Sequence, residues 1–146
     1  MRILGLDVGS KTIGVAISDP LGFTAQGITT IRRRDMEADL KELHAIIDQY
    51  EVETIVIGLP LNMNGSKGSS AAMAEELAEA LRISGSPEIL LRDERLTTVM
   101  AEKTMIAGDV SRKKRKQVID KMAAVLILQN HLDFIYRKKQ NYSEYL

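Results

Sequence analysis

The sequence predicts an α/β domain in which a three-stranded antiparallel meander leads into two helix–strand units and then into helices. Three observations predict it. Short apolar segments separated by turn residues occupy the chain as far as Ile31. After Asp35 the apolar residues recur at three- and four-residue spacing instead. Thr54-Ile-Val-Ile-Gly58 then runs apolar with no polar face, as in a strand buried on both sides and reached by a helical crossover. A chain of 146 residues, 45% hydrophobic and 27% charged, suits one globular domain that buries about two-thirds of its unfolded surface.

The meander strands are expected over Arg2–Val8, Thr12–Ser18 and Thr24–Ile31, broken by Gly9-Ser10-Lys11 and by Asp19-Pro20-Leu21-Gly22, both rich in turn formers. Leu40, Leu43, Ile46, Ile47 and Tyr50 mark an amphipathic helix for which Asp35 is a suitable N-cap. After Thr54–Gly58 and the loop Leu59–Lys67, Ser69 or Ser70 is expected to cap a second helix. Its apolar face includes Met73, Leu77, Ala80 and Leu81, and Gly85-Ser-Pro87 ends it. Glu88–Arg92 reads as the fifth strand, and Thr97 or Thr98 starts a third helix that runs to Ala107. A last helix carries Val118, Met122, Val125, Leu126, Gln129, Leu132, Asp133 and Ile135, with a frayed tail from Lys138 onward.

Composition narrows the chemistry. There are no cysteines, which removes disulfides, thiolate zinc sites and a cysteine nucleophile. The two histidines, His44 and His131, are far apart and offer no His-based transition-metal site. Any metal is therefore expected to be a hard cation on carboxylates. No apolar run approaches the roughly 20 residues that span a bilayer. A strand expected from Arg2 onward leaves no room for a leader, so a cytoplasmic location without membrane partners is the default expectation. Formal charge sums to zero, but Arg32-Arg33-Arg34, Arg112-Lys-Lys-Arg-Lys116 and Arg137-Lys-Lys139 concentrate the positive part.

Asp7 is the most informative residue. It ends the first strand, with Gly9 just beyond and Gly14 on the strand expected to pair with it. An ionised carboxylate in a sheet is costly unless something positive meets it, which points to a cation or a phosphate-bearing ligand. Asp93-Glu94 follows the fifth strand, and ligand sites of open α/β sheets gather at such carboxyl ends. Asp120 lies near the start of the last helix, where Ala123 and Ala124 permit close approach to the sheet. Two unit charges about 4 Å apart repel by roughly 4 kcal/mol at an effective dielectric near 20. Three carboxylates together would need Mg²⁺ or Mn²⁺, and two such ions can activate water and stabilise the leaving oxygen of a phosphodiester.

Taken together, Asp7-x-Gly9 with Gly14, Gly58-Leu-Pro-Leu-Asn-x-x-Gly65, Asp93-Glu-Arg-Leu-Thr-Thr98 and Asp120-x-x-Ala-Ala124 resemble the YqgF family. That family has the RNase H-like fold and is similar to RuvC-type Holliday junction resolvases. The resemblance implies a five-stranded mixed sheet of order 3-2-1-4-5, strand 2 antiparallel, flanked by helices. It places one nuclease domain over residues 1–138, followed by a flexible tail, 139–146. It also implies a metal-dependent nuclease that processes the 5′ end of precursor 16S ribosomal RNA. Asp7, Glu94 and Asp120 would be the catalytic, metal-binding acids for one or two Mg²⁺ or Mn²⁺ ions. No further acid adjoins Asp120, where Lys121 and Ala123 stand, so the expected site has three carboxylates.

Substrate contacts are expected from Arg95, Asn62 and the run Arg112, Lys113, Lys114 and Arg115, with affinity that falls as salt rises. Plain alternatives stand beside these roles. Asp7 can cap a turn, Asp93 can be an ordinary strand-end charge, and Asp120 can pair with Lys116 or Lys121 on a solvated face. Arg95 can pair with Asp93 or Glu102, the Gly58–Gly65 segment can be a tight loop, and a basic run is often only solvated. Three functions remain open: an RNA nuclease, a resolvase that cuts branched DNA as a homodimer, and a non-catalytic RNA-binding module. Asp-x-Gly also opens the phosphate hairpin of actin-like kinases, but those bind ATP between two such domains and no second hairpin is present here.

Overall fold

The computed structural model describes residues 2–93 and 112–144, with side chains for 2–93 and 122–139. Strands β1 (Arg2–Val8), β2 (Thr12–Ser18) and β3 (Ala25–Arg32) form the antiparallel meander. Helix α1 (Met36–Tyr50) crosses to β4 (Val52–Leu59), and α2 (Ser69–Ile83) crosses to β5 (Glu88–Asp93). Both crossovers return parallel strands, so the sheet order is β3-β2-β1-β4-β5. Helix α3 (Arg112–Glu144) closes the described chain. The helix expected between Thr97 and Ala107 lies outside the described residues.

Strand alternation divides the sheet into unlike faces. Leu4, Leu6 and Val8 of β1, with Ile13, Val15 and Ile17 of β2 and Ile55 and Ile57 of β4, pack against α1 and α2. The other face carries Ile3, Ala16 and Val56 and receives α3 through Ala124, Ile127, Leu128 and Leu132. Gly5 belongs to this second face. A Cβ there would stand 2.7 Å from Leu128 Cβ and 3.2 Å from the Ala124 carbonyl oxygen, so the absence of a side chain sets how closely α3 seats. The buried stripe of α3 runs through Ala123, Ala124, Ile127, Leu128, His131 and Leu132. It is displaced from the expected one, because the helix seats on Gly5 through Ala124 and Leu128.

Local signals account for most element ends. Asp35 caps α1 by accepting the Ala38 N–H at 2.8 Å. Helix α1 ends on Glu51, in the left-handed region at φ 52° and ψ 51°, a cost of about 1 kcal/mol for a residue with a Cβ. In the β2–β3 turn, Asp19 accepts the Leu21 and Thr24 N–H groups, each at 2.7 Å. The Thr24 hydroxyl, with these backbone donors, draws the Asp19 carboxyl down to about 2.

Three sequence expectations are revised. The α2 cap is Gly68, with no side-chain bond, and Ser69 is already helical. After the Leu61–Lys67 bridge the extended backbone ends at Gly68, one residue earlier than a cap at Ser69 would need. Helix α3 begins at Arg112, which puts Asp120 about two turns inside it rather than near its start. Its backbone also remains helical to Glu144, through most of the segment expected as a tail.

Candidate active site

Asp7 is half-buried and paired across β2 with Gly14. On its other side the β1–β4 register runs Gly5 to Val56 and Leu6 to Ile57. One residue further along both strands, Asp7 comes level with Gly58, which is itself paired with Arg92 of β5. Four adjacent strands thus present the row Gly14, Asp7, Gly58, Arg92 on the face that α3 covers. With glycine on both sides, neither neighbouring strand places a side chain beside the carboxylate.

The loop after Asp7 is held from behind. Gly9 N–H donates to the Thr12 carbonyl at 2.8 Å. Its own carbonyl accepts Arg33 Nη1 at 3.0 Å. Arg33 Nε is in turn 2.9 Å from Asp39 Oδ2, and Asp39 Oδ1 accepts the Arg34 N–H at 3.2 Å. Asp39 is only 2% exposed. Arg33 is therefore not one of three equivalent surface cations; it is consumed inside the fold, clamping the β1–β2 loop to α1. No local spacing rule announces this pairing, because it joins a strand end to a helix start through tertiary contact.

Helix α3 runs toward the far end of β1. Gln129 Oε1 accepts the Ala25 N–H, and its Nε2 donates to the Phe23 carbonyl, both at 2.9 Å. Phe23 meets Tyr136 edge-on at 6.1 Å between centroids. These contacts lie beside the β2–β3 turn, at the N-terminal end of β1, where Ser18 Oγ accepts the Ile3 N–H at 2.9 Å. One turn before Leu128, Ala124 lies against Gly5, two residues before Asp7 on β1.

Of the expected site residues, Asp7 and Asn62 are described in full. Asn62 is exposed in the loop after β4, where its Nδ2 donates to Ser66 Oγ at 2.9 Å. Asn64 acts there as an acceptor, taking the Ser66 N–H at 2.9 Å, so this loop closes on itself. Glu94 and Arg95 lie outside the described residues. Asp120 and Arg112, Lys113, Lys114 and Arg115 have a helical backbone, and their side chains lie outside the description. Among the described residues no group of three His, Cys, Asp or Glu side chains could hold a metal. Asp93 faces away from the Asp7 row and is exposed.

Two residues to which the sequence reading gave no role, or which it did not single out, adjoin this row. His131 is 4% exposed, and its Nδ1 has no hydrogen-bond partner among the described residues. Burial pushes its imidazole below the ordinary 6.5, and the Arg92 guanidinium adds to the shift. Arg92 itself lies over the Phe134 ring, 4.5 Å from its centroid. His44, by contrast, meets Ser84 Oγ at 2.7 Å on the opposite layer.

A mixed sheet of this order, with a carboxylate ending its central strand beneath a crossing helix, defines the RNase H-like class of α/β domains. Solved structures agree in fold. The chain is similar to the Fowlpox virus resolvase in complex with substrate Holliday junction DNA, with a TM-score of 0.57 and 12% identity, covering 92% of this chain and 99% of that one. It is likewise similar to T. thermophilus RuvC in complex with Holliday junction substrate, with a TM-score of 0.54 and 13% identity, covering 90% and 94%. The chain belongs to the RuvX family, described as Holliday junction resolvase, whose model it matches over residues 1–134. A relative from Clostridium botulinum (strain Alaska E43 / Type E3) named "Putative pre-16S rRNA nuclease" is 59% identical over 135 residues, 92% of this chain and 98% of its own length. One of the same name from Clostridium tetani is 55% identical over 138 residues, 94% and 100% of the two chains. Among the described residues no helix is long and apolar enough to cross a membrane.

Proposed function

We propose that this protein is a metal-dependent nuclease that hydrolyses phosphodiester bonds in the 5′-end processing of precursor 16S ribosomal RNA in the cytoplasm. The observation that carries the reading is the Asp7 row: a half-buried carboxylate between two glycines, at the carboxyl edge of the three parallel strands β1, β4 and β5, on the face that α3 covers. The substrate is taken from the printed name of relatives 59% and 55% identical to this chain.

Asp7, Glu94 and Asp120 are the proposed ligands of one or two Mg²⁺ or Mn²⁺ ions. Carboxylate oxygens are the donors a hard cation takes, and the space beside Asp7 suits an ion with its water shell. On the helix, Asp120 stands about 6 Å before Ala124, and on the strand Asp7 stands about 7 Å beyond Gly5. The Gly5–Ala124 contact thus puts the two backbones in step. A bound divalent ion supplies water activation and neutralises charge on the leaving oxygen. The protein's own residues do the rest. Asn62, Arg95 and the Arg112–Arg115 run hold the substrate backbone by contacts that do not read sequence, and the Arg33 clamp keeps Asp7 in place.

Labelled RNA carrying a precursor 5′ end, and a four-way DNA junction, should be incubated with the protein in Mg²⁺, Mn²⁺ or EDTA. RNA cutting in Mg²⁺ or Mn²⁺ is expected, with Asp7→Asn reducing it at least 1,000-fold while leaving RNA affinity within about threefold, on the scale of lost charge stabilisation at a reacting phosphate. Cutting that persists in EDTA overturns the metal mechanism. The family description favours a second reading, branched DNA as substrate. Selective, symmetric cutting of the junction by a dimer would replace RNA with it.

A further inference from the structure

We infer that the groove between the end of β5 and the distal turns of α3 is a second nucleic-acid subsite, one that holds a single strand leading away from the Asp7 row. Arg92, Asn130, Phe134, Arg137 and Lys138 line it, and it encloses about 570 Å³. The inference rests on the nuclease reading for its choice of ligand.

Four of the five residues form one helical stripe, at positions 130, 134, 137 and 138, about 12 Å long. The fifth, Arg92, is the last member of the row that contains Asp7, so the groove begins where the proposed reacting centre ends. Its chemistry is that of a strand-binding track: three cations, an amide and an aromatic ring. Among the described residues no carboxylate lies within ion-pair distance of Arg92, Arg137 or Lys138. Among the described residues, then, no ion pair neutralises this charge, and the Arg92 guanidinium acts on the buried His131 imidazole.

Phe134 is the sharper clue. It is one of the chain's two phenylalanines and is 46% exposed. Its ring stands at the groove with the Arg92 guanidinium over it. An exposed ring beside backbone-binding cations is how proteins hold single strands without reading sequence, at about 1–3 kcal/mol per stacked base. A single strand offers its bases to such a ring without the unstacking that a duplex would first have to undergo.

The test measures binding by fluorescence anisotropy in the Asp7→Asn protein. The probes are labelled single-stranded RNAs of 6 and 20 nucleotides, DNA of the same 20-nucleotide sequence, and a four-way DNA junction. Arg137→Glu with Lys138→Glu is expected to weaken the 20-nucleotide RNA at least 10-fold and to lower its log–log salt slope by about 1.4, the loss of two phosphate contacts. Phe134→Ala should weaken it about fivefold or more, Phe134→Tyr should restore it, and the 6-nucleotide probe should respond less. Equal sensitivity of RNA and DNA strands assigns the groove to the phosphodiester backbone; sensitivity of RNA alone assigns it to ribose as well. Unchanged affinity for both strands in variants with wild-type melting curves overturns the subsite, as does a loss confined to the junction. The nuclease reading fails separately, if the wild-type protein cuts no RNA in Mg²⁺ or Mn²⁺.

Discussion

Arg33 connects a buried ion pair to the reacting carboxylate's loop. Its guanidinium bonds Asp39 and the Gly9 carbonyl at once, a fork that lysine cannot reproduce with one ammonium. Replacing Arg33 with alanine should cost about 3 kcal/mol, because Asp39 would stay buried without its partner; urea denaturation measures this. Arg33→Lys should recover part of that stability while cleavage stays at least fivefold low, since Gly9 is no longer held two residues after Asp7. Full recovery of both would mean the clamp on Gly9 has no bearing on the site. The Asp7→Asn outcome given above belongs with it: one residue carries chemistry, the other geometry.

The seat of α3 on β1 is the contact between elements on which the site depends. Gly5→Ala introduces a Cβ only 2.7 Å from Leu128 Cβ, an overpacking expected to cost about 1–3 kcal/mol. Helix α3 would have to lift, carrying Asp120 with it. Misplacement by about 1 Å can cost about 100-fold in rate, so cleavage should fall more than stability does. Leu128→Ala should not rescue the variant, because the crowded atoms are that residue's Cβ and the Ala124 carbonyl oxygen, which both survive the change. A rescued double variant would show that the helix is seated by other contacts.

For the molecule as a unit, charge and protonation are divided between layers. Acidic residues crowd α1 and α2, whereas two of the three basic runs, 112–116 and 137–139, lie on α3, so a formal charge of zero conceals an uneven distribution suited to one-sided contact with phosphates. The buried His131 makes stability depend on pH. Its imidazole is held below the ordinary 6.5 in the folded chain, so near that pH the unfolded chain binds more protons. Stability is therefore full above about 6.5 and declines as pH drops toward the folded value. Melting temperatures measured from pH 8 to pH 5 should fall in the acid limb, and His131→Gln should flatten that limb; an unchanged slope in the variant would remove His131 as its source.

Local chemistry along the chain was enough to specify five strands, the α1 cap at Asp35, the placement of Asp7 at a strand end and the small residues Ala123 and Ala124 on the buried face of the final helix. Periodicity, turn residues and side-chain size act over a few neighbours, so they can be read from a string of letters. The YqgF resemblance added the strand order, which periodicity does not contain. Folding itself decided that Gly5 is the floor on which α3 rests, that Arg33 is spent on Asp39 and Gly9, and that Arg92 shares a row with Asp7. Each of these joins residues distant in sequence, and only the register of paired strands and the crossing of a helix bring them together.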